Sequence, residues 1–207
     1  MKKILCFGDS NTWGHDPVDC SRLERRWTVM IDEMLDNCEI VQDGVCGRAT
    51  KLRINDEWDT DGLSVFRDKY LKNNGFDLVI IMLGTNDLLN ENDFTVEETG
   101  EHLRTMIKEM RESLGVDAPE VLLISPILIS ADMMKHPVFS TLYSEKSVIN
   151  SNRFAEVIEK VATEEKSHFL DASKVSSPSP IDGIHMESSE HQKLADAVAE
   201  KIKSILF

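Results

Sequence analysis

Six consecutive apolar residues, Leu78-Val79-Ile80-Ile81-Met82-Leu83, restrict this chain more than any other stretch of it. A strand with one face in water alternates apolar and polar residues. An unbroken apolar run is what a strand requires when helices cover both of its faces, as in the middle of a parallel sheet.

Four shorter runs fit the same reading: Lys3–Phe7, Glu39–Gln42, Val121–Ser125 and His168–Leu170. The stretches between them carry helical spacing, over Arg26–Asp36, Leu63–Lys72 and Ser147–Glu164 and from Ser189 to the end, where Leu194, Val198, Ile202 and Ile205 share one stripe. The firmest helix opens on Thr95-Val96-Glu97-Glu98, a capping box, and continues with Leu103, Met106, Ile107, Met110 and Leu114 on one face. Alternation of this kind predicts an α/β fold around a largely parallel five-stranded sheet.

At 207 residues the chain fits a single domain, 1–207, with a sizeable core. Four stretches lack periodicity, namely Gly14–Leu23, Cys46–Asp61, Pro126–Tyr143 and Ser173–Met186, and each follows a predicted strand. Ligands of doubly wound sheets sit outside the carboxyl ends of the strands, so these loops are the expected working surface.

Composition excludes several functions. The formal charge of −14, with no run of Lys or Arg to offset it, sets the chain against nucleic acid and anionic membranes. The apolar run Ile4-Leu5-Cys6-Phe7 is too short for a secretory leader or a spanning helix, which points to the cytoplasm. Cys6, Cys20, Cys38 and Cys46 form no Cys-x-x-Cys, against both a zinc knuckle and a redox pair.

Chemistry is suggested by four loop segments. Gly8-Asp9-Ser10-Asn11-Thr12 follows the first strand and presents either a helix cap or a nucleophilic hydroxyl. Asp182-Gly183-Ile184-His185 precedes the last helix; a serine hydroxyl needs an imidazole base, and the base needs a carboxylate to fix its tautomer. Gly84-Thr85-Asn86-Asp87 offers an amide that could stabilise an oxyanion, or merely a turn former. Gly47, in Gly44-Val45-Cys46-Gly47-Arg48, could bring a backbone N–H close to a substrate. Taken singly each motif has a plain structural use, whereas their joint placement at one sheet edge favours a site.

These four segments resemble the blocks of the SGNH hydrolase superfamily, also called GDSL esterases, in type, order and spacing over nearly the whole chain. The resemblance implies a flavodoxin-like three-layer α/β/α fold and acyl transfer from small esters without metal or cofactor. It further implies Ser10 as nucleophile, His185 as base, Asp182 as its orienting partner, and an oxyanion hole from the N–H groups of Ser10 and Gly47 with the Asn86 amide. Cys6-Phe7-Gly8-Asp9-Ser10-Asn11-Thr12-Trp13-Gly14, Ile80 to Asp87, and His136-Pro137 are closest to the arylesterase and acyltransferase group, in which oligomers are frequent. Position 11 is Asn where many relatives carry Leu, and Cys46 stands where close relatives tend to carry serine.

Asp9, Trp13, Cys46, Met133 and Phe139 are candidates for the substrate pocket, with Met134 and Leu142 beside them, although core packing or a subunit contact is the commoner use of such apolar residues. No large apolar lid is evident, which favours short acyl groups, an acetylated sugar among them. His15, His136 and His168 are expected near the loop edge, His102 on an exposed helix turn and His191 at the surface of the last helix. Two rival readings are a metal-dependent phosphoesterase using Asp9, Asn86, Asp87, Asp182, His185 and His191, and a noncatalytic binding domain of the same fold.

Overall fold

The computed structural model describes residues 1–53, 58–71 and 75–207. The first strand, β1 (Lys2–Gly8), leads into a one-turn helix, α1 (Ser10–Trp13), and then α2 (Trp27–Met34) and β2 (Cys38–Gly44). Next come α3 (Gly62–Tyr70), β3 (Leu78–Met82), α4 (Val96–Leu114) and β4 (Glu120–Ser125). Short α5 (Phe139–Leu142), α6 (Glu145–Ser151), α7 (Phe154–Glu164), β5 (His168–Asp171) and α8 (Ser188–Leu206) complete the chain.

All strand pairs are parallel, in the order β2-β1-β3-β4-β5. The strand period of two sends alternate residues to opposite faces. Leu5, Phe7, Val79, Ile81, Val121 and Leu123 pack with Leu103, Met106, Ile107 and Met110 of α4 and Phe154, Ile158 and Val161 of α7. Ile4, Cys6, Leu78, Ile80, Leu122 and Ile124 pack with Trp27, Met30 and Ile31 of α2 and Leu194, Val198 and Ile202 of α8. The result is the three-layer α/β/α arrangement, and β3 is buried along its whole length as its apolar run requires.

Each expected strand is present. The capping box of α4 is formed in both directions: Thr95 Oγ1 accepts from Glu98 N–H at 3.1 Å and Glu98 Oε2 accepts from Thr95 N–H at 2.8 Å. The expected helix Ser147–Glu164 is instead two helices, broken at Asn152-Arg153. There Ser151 Oγ and Asn152 Nδ2 both donate to the Val148 carbonyl at 2.8 Å, so side chains take over a backbone acceptor. The helix expected over Arg26–Asp36 stops at Met34, before the turn formers Asp36-Asn37. The one expected over Leu63–Lys72 ends at Tyr70, and Lys72 and part of the loop Cys46–Asp61 lie outside the described residues. Among the described residues, no helix is long and apolar enough to cross a membrane.

Register sets up the site. Gly8 is level with Gly44 on one side and with Met82 on the other, so the chain leaves β1, β2 and β3 at one height. The connection from β1 runs outward to β2 and that from β3 runs the other way to β4, which makes the gap between β1 and β3 the switch point where a crevice opens.

Candidate active site

Ser10 is the first residue of α1, held by a turn that its neighbours build. Asp9 caps that turn, its carboxylate accepting from Asn11 N–H at 2.9 Å. Across the crevice, the Asp182–His185 turn is folded on itself: Asp182 Oδ1 accepts from the N–H groups of Ile184 and His185, both at 2.9 Å. The turn requires a left-handed residue, Gly183 at φ +73, and a Cβ there would lie 2.3 Å from the backbone nitrogen of Met133.

The two turns meet. His185 Nδ1 lies 2.6 Å from Asp182 Oδ2, and its Nε2 lies 2.9 Å from Ser10 Oγ. With a carboxylate on the Nδ1 side, that nitrogen carries the proton and Nε2 is left as acceptor for the serine hydroxyl. All three side chains are nearly enclosed, with Ser10 6%, Asp182 1% and His185 4% exposed. Burial alone raises the pKa of Asp182, but the hydrogen bond and charge of His185 together with the two backbone N–H groups outweigh it, and the carboxyl ends below its usual range.

Asn86 sits on the turn after β3. Its amide donates to the Arg48 carbonyl at 3.0 Å and its Oδ1 accepts from the Tyr143 hydroxyl at 3.1 Å, which fixes the orientation of the amide and leaves its second N–H unused by these bonds. Gly47 adopts φ +81 beside it, and a Cβ there would meet only the Thr60 methyl at 3.8 Å. Backbone conformation rather than crowding therefore calls for glycine at this position.

Behind Gly47 lies Arg48, whose side chain is fully buried. Its guanidinium donates to the carbonyls of Gly8 at 3.1 Å, Asp43 at 2.7 Å and Asp59 at 3.1 Å, and pairs with the Asp43 carboxylate at 2.8 Å. This one side chain ties the end of β1 to the end of β2 and to the glycine loop.

Ser10, Gly47, Asn86 and His185 open onto one cavity of about 190 Å³, walled by Leu89, Phe139, Leu142, Tyr143, Ile184, Cys46 and His15. Of the expected pocket residues, Phe139, Leu142 and Cys46 are therefore in place. Cys46 is exposed where it lines the cavity, yet partial desolvation and the nearby Asp9 carboxylate push its thiol up to about 11, which keeps it protonated at neutral pH.

Three expected pocket residues lie elsewhere. Met133 is a core residue packed under Gly183. Asp9 is buried beneath Ser10 among Asn11, Met82, Thr85, Pro126 and Ile127, because its carboxylate is committed to the turn. Trp13 lies beneath the Arg22 guanidinium at 5.3 Å rather than on the cavity wall. Nor does exposed Met134 line the cavity.

The histidines also need correction. His168 stands at the amino end of β5 beside Glu120, at the sheet edge away from the loops. His102 is half-buried, its Nδ1 2.8 Å from Thr50 Oγ1. His191 is fully buried on the α8 stripe, accepting from Trp27 N–H at 3.4 Å. Its spacing of three from Leu194 and seven from Val198 was the signal that places it there.

The phosphoesterase donor set is not assembled. Asp87 accepts from Thr50 N–H at 2.8 Å and from Thr99 Oγ1 at 3.0 Å, while His191 lies under α2. His15, Asp182 and His185 bring donor atoms within 4.8 Å of one another, but both Asp182 oxygens are already engaged.

Three contributors carried no motif. Tyr143 orients Asn86 through a distant loop. Asn11 brackets the base, donating to the Ile184 carbonyl at 3.2 Å and accepting from Met186 N–H at 3.1 Å. His15 lies against the His185 ring. Asn11 left a trace in the sequence as the departure from Leu, and His15 as a histidine expected near the loop edge, whereas Tyr143 left none.

Fold and site together define a three-layer α/β protein whose enclosed serine hydroxyl meets a carboxylate-held imidazole, the equipment of a carboxylic ester hydrolase. The chain belongs to the GDSL-like lipase/acylhydrolase family, whose model matches residues 6–193, within the SGNH hydrolases. No curated protein sequence matches it. Among solved structures, it is similar to the native aryl esterase of M. smegmatis at 31% identity and a TM-score of 0.91, over 100% of both chains. A carbohydrate acetylesterase from Sinorhizobium meliloti is 28% identical with a TM-score of 0.89, again over 100% of each chain. A putative arylesterase from Agrobacterium tumefaciens is 28% identical with a TM-score of 0.86 over the same full extent.

Proposed function

We propose that the chain, acting as one domain over residues 1–207, hydrolyses esters of short acyl groups through an acyl-Ser10 intermediate. The observation that carries this reading is the 2.9 Å contact between Ser10 Oγ and His185 Nε2, with Asp182 on the opposite nitrogen. Ser10 Oγ attacks the ester carbonyl carbon while His185 Nε2 takes the hydroxyl proton. The carbonyl oxygen becomes an oxyanion, held by the N–H groups of Ser10 and Gly47 and the Asn86 amide. As the tetrahedral species collapses, the carbon–oxygen bond to the alcohol breaks and His185 gives that alcohol its proton. Water then repeats the sequence on the acyl-serine, releasing the acid and restoring Ser10; an alcohol in place of water gives a new ester.

The cavity of about 190 Å³ supports a small acyl group, since sites that bury drug-sized ligands run to roughly 300–1,000 Å³. Acetyl esters of phenols or sugars are the substrates this reading favours, in keeping with the names borne by the similar aryl esterase and carbohydrate acetylesterase. A panel of acetyl to decanoyl esters, run on wild type, Ser10→Ala and His185→Ala, tests it. Either substitution is expected to lower kcat by more than ~10³, because members of a coupled set each remove nearly the whole chemical advantage. Near-normal turnover in either variant refutes the mechanism, and a kcat/KM that climbs steadily to decanoyl refutes the short-acyl assignment.

A further inference from the structure

The base is not alone in its pocket. The His185 ring meets two others: the His15 ring, with centroids 4.1 Å apart and planes inclined by 36°, and Phe139 at 5.5 Å and 58°. His15 reaches this place through its backbone. Gly14 turns the chain at φ +91, and the N–H groups of Gly14 and His15 both donate to the carbonyl of Ser10, at 2.8 and 3.0 Å. An antiparallel bridge to Arg22 and a 2.7 Å bond from Leu23 N–H to the Gly14 carbonyl close the loop behind it. A second imidazole is thereby anchored to the nucleophile's own carbonyl and laid on the face of the base.

We propose that His15 is a positioning residue for His185: its neutral ring stacks on the base and supports the imidazolium formed during turnover, and a proton on His15 withdraws that support. The inference rests on the proposed acyl-transfer reading. His185 must carry a positive charge in each half-reaction, and the face of an uncharged aromatic ring attracts a cation. Two cationic rings at this separation repel one another, so a charge on one ring opposes a charge on the other.

The groups that face His15 agree with a neutral resting state. Burial lowers its pKa and the His185 charge lowers it further, against the carboxylates of Asp182, Asp16 and Asp19. On the far side Trp13 lies 6.4 Å away, itself beneath the Arg22 guanidinium. Phe139, the other ring against His185, is uncharged, so of the two rings only His15 titrates.

The test combines kinetics with a substrate-free measurement. In wild-type protein labelled with ¹³C at histidine Cε1, the His15 and His185 resonances should each titrate in two steps; in His15→Phe, His185 should titrate in one. On an acetyl ester, His15→Ala should lose about tenfold in kcat with a smaller change in KM, and His15→Phe should recover most of that loss. Thermal melts of both variants report folding. Single-step titration of His185 in the wild type overturns the proposal without any variant, as does wild-type kcat in His15→Ala or a His15→Phe no faster than His15→Ala. If no ester is turned over by the wild type, the acyl-transfer reading fails instead, and the titration still reports on the ring pair.

Discussion

Asp9 shows how closely function and stability compete at a single residue. It is 1% exposed, with a carboxyl pushed up to about 6 chiefly by burial, opposed by the Asn11 N–H and the charge of His185. A carboxyl whose folded pKa lies above its unfolded one stabilises the fold while protonated, and that contribution is lost as pH rises through the folded value. From about pH 4 to above pH 6 the buried charge therefore costs on the order of 3 kcal/mol, at 1.36 kcal/mol per pKa unit. Asp9→Asn keeps the capping acceptor and removes the charge. It is expected to be more stable than wild type by on the order of 2 kcal/mol at pH 8, with the gap closing toward pH 4, and to turn over more slowly because a negative charge near His185 is gone. Urea denaturation at the two pH values, with initial rates at pH 8, checks both halves. The sequence marked Ser10, Asp182, His185, Asn86 and Gly47 as candidates because each sits in a motif with its own spacing, and the structure brings them to one crevice. It did not disclose that Asp9 lies beneath the nucleophile rather than in the pocket, since a capping carboxylate and a substrate contact look alike until the turn is built.

Among the elements, the loop after β2 matters most, because it joins Gly47 to the rest of the site. Arg48 fastens it to β1 through the Gly8 carbonyl and to β2 through Asp43, while stacking 4.3 Å above the Phe7 ring. Thr50 fastens the same loop to the turn that bears Asn86, through its N–H and hydroxyl on Asp87. The loops that bear Gly47 and Asn86 are thus both braced from behind by buried polar groups. Arg48→Ala removes one donor from the Asp43 carboxylate, which keeps Tyr70, and one from each of the Gly8, Asp43 and Asp59 carbonyls, and it leaves a cavity where a fully buried side chain stood. Breaking a buried pair of this kind typically costs 3–5 kcal/mol, so the variant is expected to unfold at a much lower urea midpoint and, where folded, to lose kcat more than affinity. An unchanged midpoint would remove Arg48 from the account. Apolar periodicity made the five strands and the stripes of α4 and α8 legible. It failed at Asn152-Arg153, where hydrogen bonds from Ser151 and Asn152 to one carbonyl end a helix that the apolar spacing alone would continue. It was equally silent on Arg48, since an arginine after a turn reads as a solvated charge unless the carbonyls around it are known.

At the scale of the whole molecule, one helix layer holds a buried group that ties stability to acid. The α2 and α8 layer contains His191, fully buried, with Nδ1 accepting from Trp27 N–H and Nε2 without a hydrogen-bond partner among the described residues. Burial lowers its pKa to about 4, with the charges of Arg26 and His185 adding to the effect. A histidine depressed in the fold contributes stability above its unfolded pKa of 6.5 that is lost as pH falls toward the folded value, about 3 kcal/mol by pH 4. His191→Asn, which keeps an acceptor for Trp27, is expected to lose less stability per pH unit between 6.5 and 4 than wild type does. Parallel curves from urea denaturation across that range would contradict it. The shared height of Gly8, Gly44 and Met82 carries the larger lesson: parallel register brings three loops to one level, and the turn before α8 brings His185 to Ser10. The central claim is that acyl groups pass through Ser10. Rapid mixing with p-nitrophenyl acetate, acid quench and peptide mass spectrometry test it most directly. The account predicts a burst of nitrophenol near one equivalent per chain, with the acetyl group on the peptide bearing Ser10 and no such adduct in Ser10→Ala. Acetyl found on another residue, or an undiminished burst in Ser10→Ala, would contradict it.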